Sequence, residues 1–315
     1  MKRCLKSLVL LAGAAALFSA SATQMWWVKG GNWADARDNF QDGWIIPCGL
    51  TASSTVADAQ RKADQIASNL SYVGANTVRL GINPASVGDG HWWPVMQGYI
   101  NELVAKGFYV VLGCWDGSDK DGIIDNFSAW QTMWQKVDSV YSGNWNIWYE
   151  PFNEPHGYSA SSLLNNVYAP FIGFVTKSQQ RIILPGTGYS DHVAAVGADS
   201  RFTTCKLGLH DYPFWGSHDE SGWQTDLNNR VSGYQDRTVI TEMGAPATTG
   251  LNYRSPSSDN NVCFIRGILT RANALGIGVI YWPSHKDGDS YRLFVDTVNG
   301  QWTNWSLMTE LQSLW

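Results

Sequence analysis

The chain has 315 residues, of which 22 are Lys or Arg and 27 are Asp or Glu; 44% are hydrophobic and 13% aromatic. This length can bury a large core, and the hydrophobic content excludes a disordered chain. The formal net charge is −5 and no basic cluster is present, so we expect neither a nucleic acid nor a membrane surface as a partner.

The first 22 residues are predicted to be a secretory signal and not part of the fold. A short basic stretch precedes an apolar run over residues 8–18, and Ala20-Ser21-Ala22 has the small-residue pattern of a cleavage site. The run is too short to span a membrane, and it lacks the polar face of a buried amphipathic helix, which is the alternative. We expect cleavage near Ala22 and a secreted or periplasmic protein formed by residues 23–315.

Four cysteines remain after the predicted signal, and no two are close enough in sequence to form a Cys-x-x-Cys site. In an oxidising compartment they can form disulfides, with three possible pairings, or remain as buried thiols. The sequence does not choose between these alternatives. The four residues are Cys48, Cys114, Cys205 and Cys263.

Predicted strands alternate with predicted helices along the rest of the chain. Short runs rich in apolar residues predict strands, and apolar residues at helical spacing predict helices, as with Ala59, Ala63, Ile66 and Leu70. The predicted strands are residues 25–30, 77–82, 108–114, 147–152, 181–184, 206–210, 239–242 and 278–282. The predicted helices are residues 56–73, 95–106, 127–141, 161–179, 191–196, 223–234, 259–275 and 305–314.

Eight strand–helix units in this length predict an α/β fold with a parallel sheet that is covered by helices. They fit a single (β/α)8 TIM barrel better than a doubly wound sheet. No Pro/Ser-rich linker, internal repeat or low-complexity tract marks a second domain. Residues 23–315 are therefore expected to be one barrel domain.

Polar side chains are unusually frequent at the predicted strand ends. The carboxyl ends of barrel strands meet at one rim, where functional side chains collect. A single buried glutamate is usually a structural ion-pair partner, but two on strands four and seven of one barrel favour catalysis. The candidates at this rim are Arg79, Asn153, Glu154, His210, Tyr212, Glu242 and Trp282.

Two carboxyl groups at one rim suit the cleavage of a glycosidic bond. One protonates the leaving oxygen, and the other meets the positive charge that develops at the anomeric carbon. Arg79 and Tyr212 beside Glu242 would keep that carboxylate ionised as the nucleophile. Glu154, close to this negative charge, would hold its proton and act first as the acid and then as the base.

Tryptophan and asparagine side chains suggest how a sugar would be held. Trp is large and amphipathic, and 17 of them are more than a core requires. A flat indole can stack on a pyranose ring, and Asn153 can donate to a sugar 2-hydroxyl or to the nucleophile. The predicted substrate-binding residues are Arg79, Asn153, His210, Tyr212, Trp282, Trp115 and Trp215. The expected partner is a neutral polysaccharide or oligosaccharide.

The motif around strand four resembles a known family. The segment Trp148-Tyr149-Glu150-Pro151-Phe152-Asn153-Glu154-Pro155 is similar to the strand-four signature of glycoside hydrolase family 5, the cellulase family. The ordered set Arg79, His210, Tyr212, Glu242 and Trp282 falls on the pattern of the same family. The resemblance spans roughly residues 25–315.

The resemblance implies a retaining β-glycosidase in which Glu154 is the acid/base and Glu242 the nucleophile. Among the hypotheses for the substrate, we favour an endo-acting enzyme on a neutral polysaccharide, with a β-1,4-glucan as the first expectation. One departure is strand three, where many relatives carry a His and this chain has Cys114-Trp115-Asp116. Subsite details, and with them the exact sugar and linkage, therefore do not carry over from the family.

Other functions are less favoured by the sequence. It has no Gly-x-Ser-x-Gly elbow and no His-Glu-x-x-His motif, so we expect neither a catalytic metal nor a cofactor. The open alternatives are an exo-acting glycosidase or transglycosylase, an endo-glycanase on mannan, xylan, β-1,3-glucan or galactan, and a binding protein without catalysis. We expect a monomer.

Two acidic residues near the rim are assigned elsewhere. Glu150 shares a strand face with Glu154, so we interpret it as an inward-facing carboxylate that is paired with an arginine. Asp211 lies between the inward-facing His210 and Tyr212 and is expected to point away from the barrel axis.

Overall fold

The structure is a computed structural model that describes residues 24–37, 41–115, 117, 119–298 and 300–314. The predicted signal at residues 1–22 lies outside the described residues. Within them, eight strands form one parallel sheet. The strands are β1 (Lys29–Trp33), β2 (Thr77–Ile82), β3 (Tyr109–Cys114), β4 (Ile147–Glu150), β5 (Ile183–Pro185), β6 (Lys206–Asp211), β7 (Thr238–Met243) and β8 (Gly278–His285).

The sheet curves into a nearly closed barrel. The strand order is β4-β3-β2-β1-β8-β7-β6-β5, so β1 pairs with β8 and only the β4–β5 seam interrupts the ladder. A single parallel bridge between Tyr149 and Ile182, the residue before β5, spans that seam. This topology confirms the predicted (β/α)8 TIM barrel.

Helices follow the strands on the outside of the barrel. The principal ones are α1 (Val56–Tyr72), α2 (Trp92–Ala105), α3 (Phe127–Tyr141), α4 (residues 160–174, π-helical over Leu163–Tyr168), α5 (Ala194–Gly197), α6 (Glu220–Val231), α7 (Asn260–Leu275) and α8 (Trp305–Leu314). Among the described residues, none of these helices is long and apolar enough to cross a membrane.

The ends of these helices follow from local sequence. Thr55 caps α1 in a capping box: its hydroxyl accepts from the Asp58 N–H at 3.2 Å, and Asp58 accepts from the Thr55 N–H at 2.9 Å. The α7 helix ends at Gly276, whose φ of 69° lies in the left-handed region that glycine adopts without strain. These signals are local, which explains why the helix positions were predictable.

The first strand differs from its predicted position. Residues 25–30 were predicted as the strand, but β1 spans Lys29–Trp33. The buried Met25 and Val28 instead pack with Val111, Val239 and Ile280, together with Trp148 and Ile183, in a separate apolar cluster. A run that closes the core in this way has the same apolar composition as a strand, so composition could not separate the two.

The fourth helix is shorter than predicted. It ends at Phe174, not at residue 179, and Val175 is already extended. Beyond it, the Lys177 ammonium donates to the carbonyls of Tyr141 at 2.8 Å and Asn144 at 2.5 Å. These contacts tie the segment before β5 to the end of α3 and the turn after it.

The four cysteines are buried and form no disulfide with one another, so the disulfide expectation is wrong for this structure and the buried-thiol alternative holds. They lie in four different parts of the barrel, with separate partners. Cys48 Sγ contacts Asp287 Oδ1 at 3.0 Å, whereas Cys263 Sγ contacts the Ser257 carbonyl at 3.1 Å.

Candidate active site

A buried arginine organises the rim of the barrel. Arg79 on β2 is fully buried and donates to four side chains. Its Nε and Nη2 bind Glu150 Oε2 at 2.6 Å and Oε1 at 2.8 Å, and Nη1 binds Glu242 Oε1 at 2.5 Å. Nη1 also reaches Asn32 Oδ1 at 3.0 Å, and Nη2 reaches Asn153 Oδ1 at 2.6 Å. One guanidinium thus holds two carboxylates and two amides.

Two neighbouring carboxylates stabilise the positive charge of Arg79. Burial alone would lower the pKa of Arg79, but the charges of Glu150 and Glu242 outweigh burial and raise that pKa. The predicted pairing of Glu150 with an arginine is confirmed by its two contacts. Two carboxylates therefore share one permanently charged cation.

Glu242 lies at the carboxyl end of β7, where the β6–β7 register places it beside His210. The Tyr212 hydroxyl donates to Glu242 Oε2 at 2.7 Å, so both carboxylate oxygens have a donor. Burial raises the pKa of Glu242, while the charge of Arg79 and the hydrogen bond from Tyr212 oppose that rise. The expected contacts are present, but burial outweighs their effect on the pKa.

Glu154 follows β4 in a tight turn. Its φ of 48° lies in the left-handed region, which non-glycine residues seldom adopt and which recurs at functional sites. The His156 N–H donates to the Glu154 carbonyl at 2.7 Å and closes the turn. The turn presents the Glu154 side chain, which is 13% exposed, to His210.

His210 connects the two glutamates. Its Nδ1 lies 2.9 Å from Glu154 Oε1 and 3.6 Å from Glu242 Oε2. Burial lowers the pKa of His210 to about 4, so the imidazole is neutral at neutral pH. One atom of each of these three residues lies within 4.8 Å of the others. The two carboxylates are therefore close neighbours in one polar cluster.

The same three atoms have the spacing of metal ligands. A cation bound to Glu154, His210 and Glu242 would, however, lie close to the guanidinium of Arg79, which is 2.5 Å from Glu242. Repulsion between the two positive charges disfavours a metal ion here. The arrangement instead suits proton transfer and nucleophilic attack.

An aromatic cleft of about 340 Å³ opens beside the glutamates. Trp282 lines it, with Lys286 Nζ lying 5.4 Å from the ring centroid and 3.1 Å from Asp289 Oδ2. Tyr212 stacks on Phe214, with the ring centroids 5.0 Å apart. Five lining residues were not predicted from the sequence, because they follow the strands in segments without a recognisable pattern: Phe214, Lys286, Asp289, Ser290 and Tyr291.

Two of the predicted tryptophans lie farther back. Trp115 is fully buried; it packs edge-on against Trp282 at 5.4 Å, and Arg79 lies 5.5 Å from its ring. Trp215 contacts Tyr212 edge-on at 5.5 Å. Both rings support the cleft wall in this structure, and direct contact with a substrate stays a prediction for them.

Asn32 is a further residue of the site that was not predicted from the sequence. Its amide donates to the carbonyls of Thr241 and Tyr281, both at 3.1 Å, and its oxygen accepts from Arg79. It joins β1, β2, β7 and β8 at the rim. Asn32 lies beyond the predicted first strand and follows two glycines, so the sequence around it gave no signal of this role.

Asp211 faces away from the cleft, as expected. Its nearest cation is Arg230, whose Nε lies 3.6 Å from Asp211 Oδ1, and neither carboxylate oxygen has a hydrogen-bond partner among the described residues. Burial raises the pKa of Asp211 to about 7.

The sequence profile of the family described as Cellulase (glycosyl hydrolase family 5) matches residues 39–288, more than half of the chain. The chain belongs to glycosyl hydrolase family 5. It is therefore a glycoside hydrolase. The profile covers β2 to β8 and hence both glutamates, Arg79, His210 and Trp282.

Solved structures of family 5 cellulases share its fold. The endoglucanase Cel5A from Thermotoga maritima is 14% identical, with a TM-score of 0.65 over 91% of this chain and 98% of that chain. The endocellulase from Pyrococcus horikoshii, in complex with cellotetraose, is also 14% identical, with a TM-score of 0.66 over 91% and 92%. The catalytic domain of Thermobifida fusca endoglucanase Cel5A, also with cellotetraose, is 19% identical, with a TM-score of 0.58 over 93% and 92%. No curated protein sequence matches the chain.

Proposed function

We propose that this family 5 member is a secreted, retaining endo-β-1,4-glucanase in which Glu154 is the acid/base and Glu242 the nucleophile. The observation that carries this proposal is the separation of the two glutamates, which have oxygens within 4.8 Å of each other. Carboxyl groups lie about 5–5.5 Å apart in retaining enzymes and about 6.5–9.5 Å apart in inverting ones, which need room for a water.

In the first step, a Glu242 oxygen attacks the anomeric carbon while Glu154 gives its proton to the leaving oxygen. The bond to the leaving sugar breaks, and a covalent ester forms between Glu242 and the retained sugar. Arg79 and Tyr212 each hold one Glu242 oxygen, at 2.5 and 2.7 Å, and so fix the direction of attack.

In the second step, Glu154, now ionised, removes a proton from a water molecule, which attacks the same anomeric carbon. The ester bond breaks, Glu242 leaves as a carboxylate, and two inversions give net retention. His210 can exchange a proton with Glu154 across their 2.9 Å contact. A neutral imidazole suits this role because it can donate or accept at Nδ1.

The proposal places Asn153 at the sugar ring. Its oxygen is held by Arg79, while its Nδ2 is buried and has no hydrogen-bond partner among the described residues. An unpaired buried donor of this kind costs free energy unless a ligand satisfies it. A sugar 2-hydroxyl that bridges Asn153 and the nucleophile would do so.

A β-1,4-glucan is proposed as the substrate because the chain belongs to the cellulase family and two of its structural neighbours are complexes with cellotetraose. The aromatic wall of Trp282 and Tyr212 suits the apolar faces of glucose rings. The alternatives to be tested are mannan, xylan, β-1,3-glucan and galactan. They differ from β-1,4-glucan in the hydroxyl groups or linkages that loop residues contact.

Anomeric configuration and azide rescue test the mechanism. NMR of the first products of the wild-type enzyme should show the β-anomer before mutarotation, and initial α-anomer would refute retention. Glu242→Ala with an activated aryl β-cellobioside and azide should give the α-glycosyl azide. Glu154→Ala should give the β-glycosyl azide. The opposite assignment of the two azides would exchange the proposed roles.

A product profile tests the substrate and the mode of attack. Purified protein is incubated with soluble β-1,4-glucan, β-1,3-glucan, mannan, xylan and galactan, and the products are separated over time. Mixed oligosaccharides from β-1,4-glucan with a rapid loss of viscosity are expected. Early accumulation of a single mono- or disaccharide would instead identify an exo-acting enzyme.

A further inference from the structure

A second aromatic cleft lies on the outside of the barrel, between the end of α1 and the segment that leads into α8. Its volume is about 610 Å³, compared with about 340 Å³ beside the glutamates, and the two clefts share no lining residue. The lining includes Ser68, Asn69, Tyr72, Gln301, Trp302 and Trp305. None of these residues belongs to the site proposed for hydrolysis.

The aromatic rings of this cleft are unusually exposed. Tyr72 is 73% exposed and Trp305 is 60% exposed, and the Tyr72 and Trp302 rings lie with centroids 5.7 Å apart. Exposed apolar residues occur singly on many proteins, but several large rings around one concave surface mark a binding site. Together they offer flat apolar faces that water covers in the free protein.

The floor of the cleft is preformed. Asn69 Nδ2 lies 3.1 Å from His285 Nε2 and 3.4 Å from the Thr297 carbonyl, which ties α1 to the chain after β8. The buried His285 ring stacks on Phe294 at 4.6 Å with an interplanar angle of 5°. Little ordering is therefore needed when a ligand enters, which favours binding.

The chemistry of the cleft selects for a neutral ligand. None of the described residues that line it is charged; those that are not aromatic or glycine are Ser68, Asn69 and Gln301. Hydroxyl and amide groups bind sugar hydroxyls, and aromatic rings cover the C–H faces of pyranoses. A nucleic acid or a charged peptide would find no charged side chain in the lining itself; the guanidinium of Arg254 lies outside it, 5.6 Å from the Trp305 ring.

We propose that this outer cleft is a second carbohydrate site, which binds another segment of the β-linked polysaccharide that the enzyme hydrolyses. For the class of ligand, this inference rests on the proposed function. Binding at a second point holds the enzyme on its polymer and raises the effective concentration of chain at the active site. A soluble oligosaccharide too short to span both clefts gains nothing from it.

The test separates adsorption to a polymer from turnover of a short substrate. The variants are Tyr72→Ala, Trp305→Ala and the ring-preserving Tyr72→Phe. The control is Trp145→Ala, because Trp145 is 54% exposed and lies 4.9 Å from Arg181, much as Trp305 lies 5.6 Å from Arg254. Each protein is measured for adsorption to insoluble β-1,4-glucan, for affinity electrophoresis in the five soluble polysaccharides, and for kcat/KM on cellopentaose.

Tyr72→Ala and Trp305→Ala are each expected to lower adsorption at least fivefold while kcat/KM on cellopentaose stays within twofold. Tyr72→Phe and Trp145→Ala should leave both unchanged. The proposal of a second site would be overturned if Tyr72→Ala and Trp305→Ala adsorbed as well as the wild type. It would also be overturned if Trp145→Ala lost as much adsorption as these two variants.

The two proposals fail separately. Suppose that the protein hydrolyses none of the five polysaccharides, but that Tyr72→Ala still lowers its electrophoretic retardation by one of them. This result would support the outer cleft as a binding site and contradict the proposed substrate. If the protein hydrolyses β-1,4-glucan, but Tyr72→Ala and Trp305→Ala are retarded like the wild type in every gel, the result would contradict binding at the outer cleft and support the proposed function.

Discussion

Arg79 and Glu150 form a fully buried, two-pronged ion pair, with Nε to Oε2 at 2.6 Å and Nη2 to Oε1 at 2.8 Å. This geometry fixes the plane of the guanidinium and leaves Nη1 directed at Glu242, 2.5 Å away. Glu150 therefore acts on the proposed nucleophile through the arginine. It is a positioning residue at the end of β4, whereas the proposed acid/base lies in the turn that follows this strand.

Glu150→Gln is expected to lower kcat/KM by about 10- to 100-fold, a loss of roughly 1.4–2.7 kcal/mol of transition-state stabilisation. Glutamine keeps the shape but lacks the charge, so Arg79 interacts more strongly with Glu242 and lowers the pKa of that carboxyl. The acidic limb of the pH–rate profile should move to lower pH. Azide should not restore the activity, and rescue by azide would contradict a positioning role.

Tyr212→Phe removes the hydroxyl, and with it the hydrogen bond to Glu242 Oε2, but keeps the aromatic ring. Because that bond opposes the rise in the pKa of Glu242, its loss should raise this pKa further. The acidic limb should therefore move to higher pH, opposite to the shift in Glu150→Gln, and kcat should fall about 10-fold. A pH–rate profile identical to that of the wild type would show that Tyr212 does not act on the nucleophile.

Asp211 makes the folded state less stable as the pH rises. Its pKa is about 7 in the folded protein and about 3.9 in an unfolded chain, so between these values the folded state binds more protons. The free energy of unfolding should therefore decrease from about pH 4 to pH 7. Asp211→Asn should abolish this decrease and be more stable than the wild type at pH 8, by about 2 kcal/mol in denaturant titrations.

The control for Asp211 is Asp226→Asn, which removes the other carboxylate in contact with Arg230, at 2.5 Å. Because the charge of Asp226 helps to raise the pKa of Asp211, this variant should make the decrease between pH 4 and pH 7 smaller without abolishing it. If Asp211→Asn retained the decrease, the titration would belong to another group.

Gly81 provides the space that Trp115 occupies. A Cβ at this position would lie 2.3 Å from Trp115 Cε3, which is closer than two carbon atoms can approach. Gly81→Ala should destabilise the fold by about 1–3 kcal/mol, and it should lower activity because Trp115 supports Trp282. Thermal unfolding and kcat/KM measure these effects. Gly88→Ala, where nothing lies within 4 Å, is the matched control and should change neither.

The predicted signal is tested by expression of the full chain in a host that exports proteins. Mass spectrometry of the exported protein should give a mature N-terminus near Thr23, after Ala20-Ser21-Ala22. An exported protein that retains Met1, or one found only in the cytoplasm, would contradict both the cleavage and the proposed secretion.

The sequence by itself determined the barrel and the two glutamates. Strand and helix periodicities are local, eight alternating units leave few topologies, and parallel strands bring their carboxyl ends to one rim. For that reason Glu154 and Glu242 could be placed together although they are 88 positions apart. Arg79 and His210 were found by the same argument.

Only the tertiary structure decided how these groups are paired and what encloses them. Asn32 contacts carbonyls that are 209 and 249 positions away, and no local pattern encodes such a contact. The burial of Trp115, the thiol state of the cysteines and the role of Met25 and Val28 in the core likewise depend on which elements pack together. Composition and periodicity describe one segment at a time, whereas hydrogen bonds, pKa shifts and clefts arise between segments that the barrel brings into contact.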